Sequence, residues 1–520
     1  MKKAAGFSPG QKELYLFMVS KHTLLRAAAA ALSLALLAGC ARPAVIAPAS
    51  SETADSQAAA QPAPQVLAIA ANAGQFNPYL TPNSLTVQCA DLLFEKLVRL
   101  SPAMDLEFRL AQSIESSGLT VTILLQSGCT FADGTPLTGE DVAASLTAAK
   151  NSALYGARLA NMTEIAAEGN RVTITLAEPD SLFAYLLDLP ILKAGEVASP
   201  QPTASGRYTY DWADALVPNP RAPFPVEGGP ERVQLTDVAN YDEIVSGLAL
   251  GTVNFYQAEA STSSTVASNE NYFRTNILMF LGVNARADNP LCSTADGRAL
   301  LSQILSRREL ADQYISATPA TGALNSLYDC VQGSQPIGTE ADLSQLETVM
   351  AQLGYAWNDQ TGRYETPEGE PAAVEVLVYT GSADKVYAAT QLQKEWSELG
   401  IQVTLTTAED FNVYLEQIQR QQFELYIGEL KLYNNMDLMP FWTGNARYGL
   451  APSQTLLDAY ALFRADASQA GAFEEVFAAE MPYIPLLWRS SVTVANRSVS
   501  GVVSSVSDLF YSLEQFTVKN

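Results

Sequence analysis

The side chains that could do chemistry are unevenly supplied in this 520-residue chain. It has one histidine, His22, against 55 acidic and 31 basic residues. His22 stands just before an apolar run, Ala27 to Ala38, of the kind found in export leaders. If that leader is removed no histidine remains, which excludes Ser-His-Asp triads, Cys-His dyads, HExxH zinc sites and histidine general bases. Paired carboxylates of the glycosidase kind stay open chemically. With so many acids a pair arises easily by chance, so acidity by itself points to no reaction. No GxSxG, SxxK or glycine-rich phosphate loop stands out, and no CxxC occurs, so neither nucleophilic, redox nor zinc-cluster chemistry has a motif. We therefore expect no enzyme, no cofactor and no bound metal, with an exported carboxylate-dependent hydrolase as the competing reading. The formal charge of −24 argues against nucleic acid as a partner, because phosphate binding needs clustered Lys and Arg. It equally disfavours adhesion to anionic lipid.

The chain does offer hydrogen bonds. Lys431, Tyr433, Asn434 and Asn435 fall together in the segment 428–442. Asparagine amides present paired donors and acceptors suited to peptide groups or sugars; the alternative is a surface loop in which Asn-Asn makes a turn. Trp442 is either a pocket wall or a core ring. Tyr379 and Ser382 sit at a second candidate loop, 380–384.

The elements around these loops explain why they would be neighbours. Residues 373–379 read as a strand, 385–399 as a helix with Val386, Ala389, Leu392, Trp396 and Leu399 on one face, and Gly400 as its end. A strand at 401–405, a helix at 411–420 and a strand at 423–427 follow. This β-α-β-α-β order predicts a mostly parallel sheet, whose ligands lie beyond the strands' carboxyl ends. Upstream, 66–70, 119–125 and 171–176 read as strands, and 87–100, 295–314 and 343–353 as helices. Thr138 and Asp141 form a capping-box pattern opening a helix to about Lys150. Proline and glycine concentrate at 195–230 and 316–340, which read as long connections. With 48% hydrophobic and 17% charged residues the body is well packed, and its length calls for two or three domains.

The segment KHTLLRAAAAALSLALLAGC, 21–40, has a basic start and an apolar stretch of 12 residues, too short to span a bilayer of about 30 Å. Its end resembles the lipobox of bacterial lipoproteins, in which the cysteine, here Cys40, is lipidated. Residues 1–39 are thus expected to be a signal peptide, with Met18 the candidate start. Losing them removes five basic residues and one acid, leaving 26 against 54, a charge of −28. Residues 40–65, rich in Ala, Pro, Ser and Gln without periodicity, are expected to be a flexible tether. Of the remaining cysteines, the sequence-local pairs 89–129 and 292–330 are the preferred disulfides; four buried free thiols are the alternative.

Across roughly 66–515, several stretches carry a resemblance. CTFADGTPLTGEDVAASL (129–146) matches the signature F-x-DG-x-P-x-T-x-x-DV-x-x-S; FNPYLTPNS, LLFEKLVRLSP, ASGRY, YDEIVSGLALGTVNF, FLGVNARADNPLCSTADGRALLSQILSRREL and AEMPYIPLLWR follow in matching order. The body resembles the extracellular solute-binding proteins of peptide and nickel ABC importers, bacterial solute-binding family 5. The resemblance implies an α/β, two-lobed periplasmic-binding-protein-like fold of type II, with mixed sheets and an extra inserted subdomain. Lobe I would be 66–85 with 190–280 and 490–520, the insert 86–189, and lobe II 281–489. The Asp133-Gly134 signature would then mark a turn, not ligand chemistry.

The resemblance also implies that Asn77 and Tyr79, after the first strand, and Phe280 and Asn284, flanking a crossing strand, face the cleft. In peptide-binding members an Asp in the loop after the strand equivalent to FELYIG (423–428) pairs with the α-ammonium. Aligning Gly428 places Tyr433 there, with Asp437 four residues on and Glu429 four before. A phenol cannot make that charge-assisted pair, so simple α-amino recognition would require Glu429 or Asp437 to substitute. Nickel-type members hold metal through histidine, which leader removal would abolish here; a metal chelate held by other side chains stays open, as does a sugar. The implied function is a monomeric, lipid-anchored receptor at the cell surface or in the periplasm. It captures an oligopeptide or similar small solute and delivers it to ABC permease subunits.

Overall fold

The computed structural model describes residues 65–519 apart from 73, 212–213, 259–267 and 444–448. The leader and tether expectations, with Cys40, lie outside the described residues.

Two long strands organise the body. Ser268–Val283 and Tyr483–Asn496 run antiparallel, paired from Ser268 opposite Asn496 to Gly282 opposite Tyr483. On one side Tyr483–Asn496 pairs with Phe255–Ala258, which leads to Val66–Ala71, Arg232–Asp237, Ala215–Pro218 and Tyr208–Asp211. On the other side Ser268–Val283 pairs with Leu425–Lys431, followed by Ala373–Tyr379 and Gln402–Ala408. Each long strand feeds two cores. Phe273 and Ala495 belong to a first core with Leu67, Ile69, Val121 and Phe255. Leu278–Leu281 and Tyr483 belong to a second with Val376, Trp396 and Ile427. Between these halves the register shifts from Arg274 to Ile277. Such a bulge bends the strand and frees the residues inside it, here Thr275 and Asn276. Thr275 donates from its hydroxyl to the Arg489 carbonyl at 2.6 Å.

The second core rests on the parallel arrangement expected from 373–427. Ala373–Tyr379 pairs in parallel with both Gln402–Ala408 and Leu425–Lys431. The helix Ala383–Glu398 buries Ala389, Leu392 and Trp396 against it. Its chain then turns at Gly400 with φ +83°, where a Cβ would stand 2.4 Å from the Trp357 ring, so only glycine fits. The four-stranded antiparallel sheet Ala111–Ser117, Thr120–Leu125, Arg171–Leu176 and Met162–Glu168 joins the first core. Its helix Gly139–Lys150 is capped by the Asp141 carboxylate, which accepts from the Thr138 N–H at 2.8 Å and the Ala194 N–H at 2.8 Å. Asp133 makes the expected turn, accepting from the Thr135 N–H at 2.9 Å, with Gly134 at φ +86°.

Three expectations require correction. The helix expected at 87–100 is Ser84–Leu93. The Leu93 carbonyl accepts from the Ser205 and Gly206 N–H groups at 3.0 and 2.8 Å, so a tertiary contact ends the helix before Leu97. The helix expected at 295–314 is broken into Ala295–Gln303 and Arg307–Ala311, because Ser306 caps the second piece, accepting from the Glu309 N–H at 3.2 Å. Finally, Cys89, Cys129, Cys292 and Cys330 are all free thiols, not the pairs 89–129 and 292–330. Each packs with apolar side chains of a core; burial pushes the Cys89 thiol up to about 12.

Candidate functional site

The segment that follows the strand Leu425–Lys431 lies where the two cores meet. Leu432 and Met436 enter the second core, while Tyr433 between them packs against the first. From the opposite side Leu182 enters the second core. The Leu432 N–H donates to the carbonyl of bulge residue Asn276 at 2.8 Å, which fixes the loop's starting direction.

Asn434 and Asn435 then bridge the two sides. Asn434 Nδ2 donates to Asp188 at 3.2 Å, and Asn435 Nδ2 donates to Asp180 at 2.7 Å. Asp180 also forms an ion pair with Arg464, whose guanidinium donates to the Asn435 carbonyl at 2.6 Å. Asp180 is nonetheless held above the usual carboxylate range, burial outweighing Arg464 and Asn435. Behind Asn434, Asn276 Nδ2 donates to the Asn434 side-chain oxygen at 3.2 Å and to the Tyr328 hydroxyl at 2.7 Å.

Asp188 carries a second partner, Arg158, as an ion pair. Arg158 comes from the turn region after helix Gly139–Lys150 and also donates to the Leu186 carbonyl at 2.5 Å. Its Nε has no acceptor. Burial lowers its pKa to about 10. Tyr155 lies under it, 5.9 Å from the ring centroid, and stacks edge-on with Tyr79 at 5.7 Å. Lys431 keeps part of its side chain in solvent, while desolvation of its ammonium, followed by the charge of Arg158, lowers its pKa. Burial, with Asp437, raises the Tyr433 phenol, which stays neutral.

Lys431, Tyr433, Asn434 and Asn435 are thus brought together, with Arg158, Asp188, Asp180, Asn276, Tyr328 and Arg464 as partners the sequence did not single out. Arg158 and Asp188 had no signal of their own; they stand far apart in sequence from the loop they meet. The other expected residues are placed elsewhere or spent. Asn77 donates to the Val197 and Ser199 carbonyls at 2.9 and 2.8 Å, and Tyr79 donates to the Pro190 carbonyl. Phe280 is 0% exposed among Phe441, Tyr426 and Tyr483, a core ring with no free face. Asn284 donates to the Gln421 and Phe423 carbonyls at 3.0 and 2.9 Å, closing the end of the crossing strand. Ser382 caps helix Ala383–Glu398. Tyr379 packs on Phe411 and Tyr414, and Trp442 is buried edge-on to Tyr460. Asp437 accepts from the Tyr460 hydroxyl and the Met439 N–H at 2.9 and 3.0 Å. Glu429 faces Arg489 at 3.7 Å, and Arg489 is also paired with Asp384.

The seam where the two cores meet is thus lined by amides, phenols and cations. The model of the bacterial extracellular solute-binding proteins, family 5, matches residues 105–446. The chain belongs to that family. Family 5 relatives include a glutathione-binding protein of Salmonella typhi, 24% identical over 369 residues, covering 66% of this chain and 69% of that one. Among solved structures, a nickel ABC transporter protein from Bacillus halodurans superposes with a TM-score of 0.69 at 18% identity, over 87% of this chain and 100% of that one. The unliganded open form of the murein tripeptide-binding protein MppA gives 0.70 at 16%, over 88% and 98%. The fold is accordingly the two-lobed α/β architecture expected, and the family consists of binding proteins of transporters, not enzymes.

Proposed function

We propose that this protein is a lipid-anchored receptor that captures an oligopeptide or similar small solute between its lobes and presents it to ABC permease subunits. Cys40 would carry the lipid and residues 40–65 the tether, and the receptor would act as a monomer. Lobe I is assigned to 66–85, 190–280 and 490–520, the insert to 86–189 and lobe II to 281–489. The observation that carries the reading is the seam formed by Asn434–Asp188, Asn435–Asp180 and Arg464–Asp180. These contacts join segments far apart in sequence across two separate cores. A receptor needs no catalysis, only a higher affinity of the solute for the closed than for the open arrangement. Waters trapped in such a seam would bridge a varied solute to fixed amides. Native mass spectrometry of gently purified protein tests this: co-purified peptides or another small solute are expected. A single sugar or metal chelate would replace the peptide class, and measurable turnover of a glycoside or peptide would overturn the receptor reading.

A further inference from the structure

A buried acid behind the seam is tied to it through a series of hydrogen bonds. Glu474, on helix Ala470–Glu480, is 0% exposed. Its carboxylate accepts from the successive N–H groups of Ala323 and Leu324 at 2.9 and 2.7 Å. The chain comes so close at Gly322 that a Cβ there would stand 2.3 Å from a carboxylate oxygen, so glycine is required. Asn325, next along and equally buried, donates to the Asn276 side-chain oxygen at 3.0 Å and accepts from the Leu327 N–H at 3.2 Å. The Tyr328 hydroxyl accepts from Asn276 Nδ2. Segment 323–328 is therefore the platform on which the bulge rests. The same Asn276 orients the Asn434 amide that meets Asp188, and its carbonyl takes the Leu432 N–H. Each amide in this series has one orientation, because its oxygen and its nitrogen face different partners.

Among the described residues no Lys or Arg is paired with Glu474, and two N–H groups are what offsets its charge. The charged groups on the elements packed against its helix are otherwise engaged or in solvent. Arg298 donates to the Cys292, Ser293, Glu480 and Met481 carbonyls, Arg464 pairs with Asp180, and Arg489 pairs with Asp384. Asp458 accepts from Gln454 and Glu480 from Ser453. Asp296, Asp329, Asp466 and Glu475 are exposed. Burial holds the Tyr460 and Tyr483 phenols well above their ordinary value, so they stay neutral. A buried carboxylate with no cation is easiest to keep while it carries its proton, and burial pushes this one up to about 7. Once ionised it gains by reaching water. The cover it must lift to do so is the segment 322–325, and lifting it removes Asn325 and Tyr328 from under the bulge.

Resting on the receptor reading above, we propose that Glu474 is a positioning residue for the seam. Through the platform 323–328 it holds the bulge at Asn276 and the loop amide of Asn434, and its ionisation releases them.

The test is hydrogen exchange, read by mass spectrometry on the purified full chain at pH 6, 7 and 8. Rates are divided by the chemical rate at each pH, which removes base catalysis. In the wild type, protection of 323–328 is expected to fall about tenfold from pH 6 to 8, as linkage requires of a group that titrates near 4.5 when exposed and near 7 when buried. Protection of 432–436 should fall with it. Glu474→Gln, which cannot ionise, should flatten both profiles. Asn276→Ala cuts the side-chain links to Asn325, Tyr328 and Asn434; it should keep the response at 323–328 and lose it at 432–436. Should Glu474→Gln fail to fold, the wild type and Asn276→Ala decide the matter. Equal falls in the wild type and Glu474→Gln would overturn the assignment to Glu474. A response at 323–328 without one at 432–436, or one at 432–436 that persists in Asn276→Ala, would overturn the link to the seam. The receptor reading survives each of these results, because the small molecule released from the native protein tests it separately.

Discussion

Two charged regions of the molecule behave in opposite ways. Beside the first core four cations meet four carboxylates: Lys96 with Asp91 at 2.6 Å, Arg109 with Glu95 at 2.8 Å, Arg99 with Glu107 at 2.7 Å and Arg207 with Asp508 at 2.9 Å. Every charge has a counter-charge, and carbonyls take what is left: Arg207 also donates to Phe510 and Asp91 at 2.7 and 3.1 Å. Asp508 stays below the usual carboxylate range although burial opposes it, because Arg207, Lys96 and Arg99 surround it. This network fastens the C-terminal segment around 507–510 to Asp91, Lys96 and Arg207. At the seam, by contrast, Arg158 has one acid, Asp188, which it shares with Asn434, and its Nε is left without an acceptor. A saturated ionic cluster has nothing to gain from a ligand and serves the fold. An unsaturated one is costly to keep closed until something else completes it.

The comparison can be broken at three points. The largest effect is expected from Arg207→Ala, which strands Asp508 in the interior. Losing one member of a buried pair costs about 3–5 kcal/mol, read as a lower urea midpoint with ligand binding retained once folded. If stability holds, the saturated cluster is not what fastens the C-terminal segment.

A smaller effect comes from an acid that has no cation at all. Glu474 is fully buried and accepts from the Ala323 and Leu324 N–H groups at 2.9 and 2.7 Å. Burial outweighs those bonds and pushes its pKa up from 4.5 to about 7. The folded state therefore binds this proton more tightly than the unfolded chain does. The stabilisation is complete below about pH 4.5 and is lost as pH rises through 7. Urea midpoints at pH 5, 6, 7 and 8 should show the wild type losing more stability across this window than Glu474→Gln. Parallel profiles would remove Glu474 as the cause.

The smallest effect is expected from Asp180→Asn, which keeps shape and the contact with Asn435 but deletes the charge facing Arg464. About 1 kcal/mol of seam stability should go, seen as a larger radius of gyration in solution scattering of the unliganded protein. An unchanged radius would mean that the seam is held by packing of Leu182 and Tyr433, not by the ion pair.

The local elements were legible in the sequence wherever a pattern met a boundary residue. The parallel unit read at 373–427 follows from alternating strands, an amphipathic helix and Gly400; the capping box at Thr138 and Asp141 follows from spacing alone. Legibility failed where a distant partner decided the outcome. The helix after Ser84 stops at Leu93 because residues 205–206 bond its last carbonyl, and nothing within 87–100 says so. The loop 428–442 was identifiable as a candidate because it follows a strand's carboxyl end. Arg158 was not, since its meaning depends on Asp188, which it meets only in the fold. Asn77, Phe280 and Asn284 looked available because sequence shows a side chain's chemistry but not whether the fold has already used it.

The sequence by itself determined the scarcity of histidine, the acidic charge, the order of many elements and the family resemblance, because these depend on residue type and on patterns within one or two elements. Tertiary structure alone decided which polar groups are satisfied. Hydrogen bonds and ion pairs are short-range, and the partners at the seam are separated by more than 200 residues, as Asn434 is from Asp188. Only the bend at Thr275 and Asn276 and the packing of two cores bring them within reach.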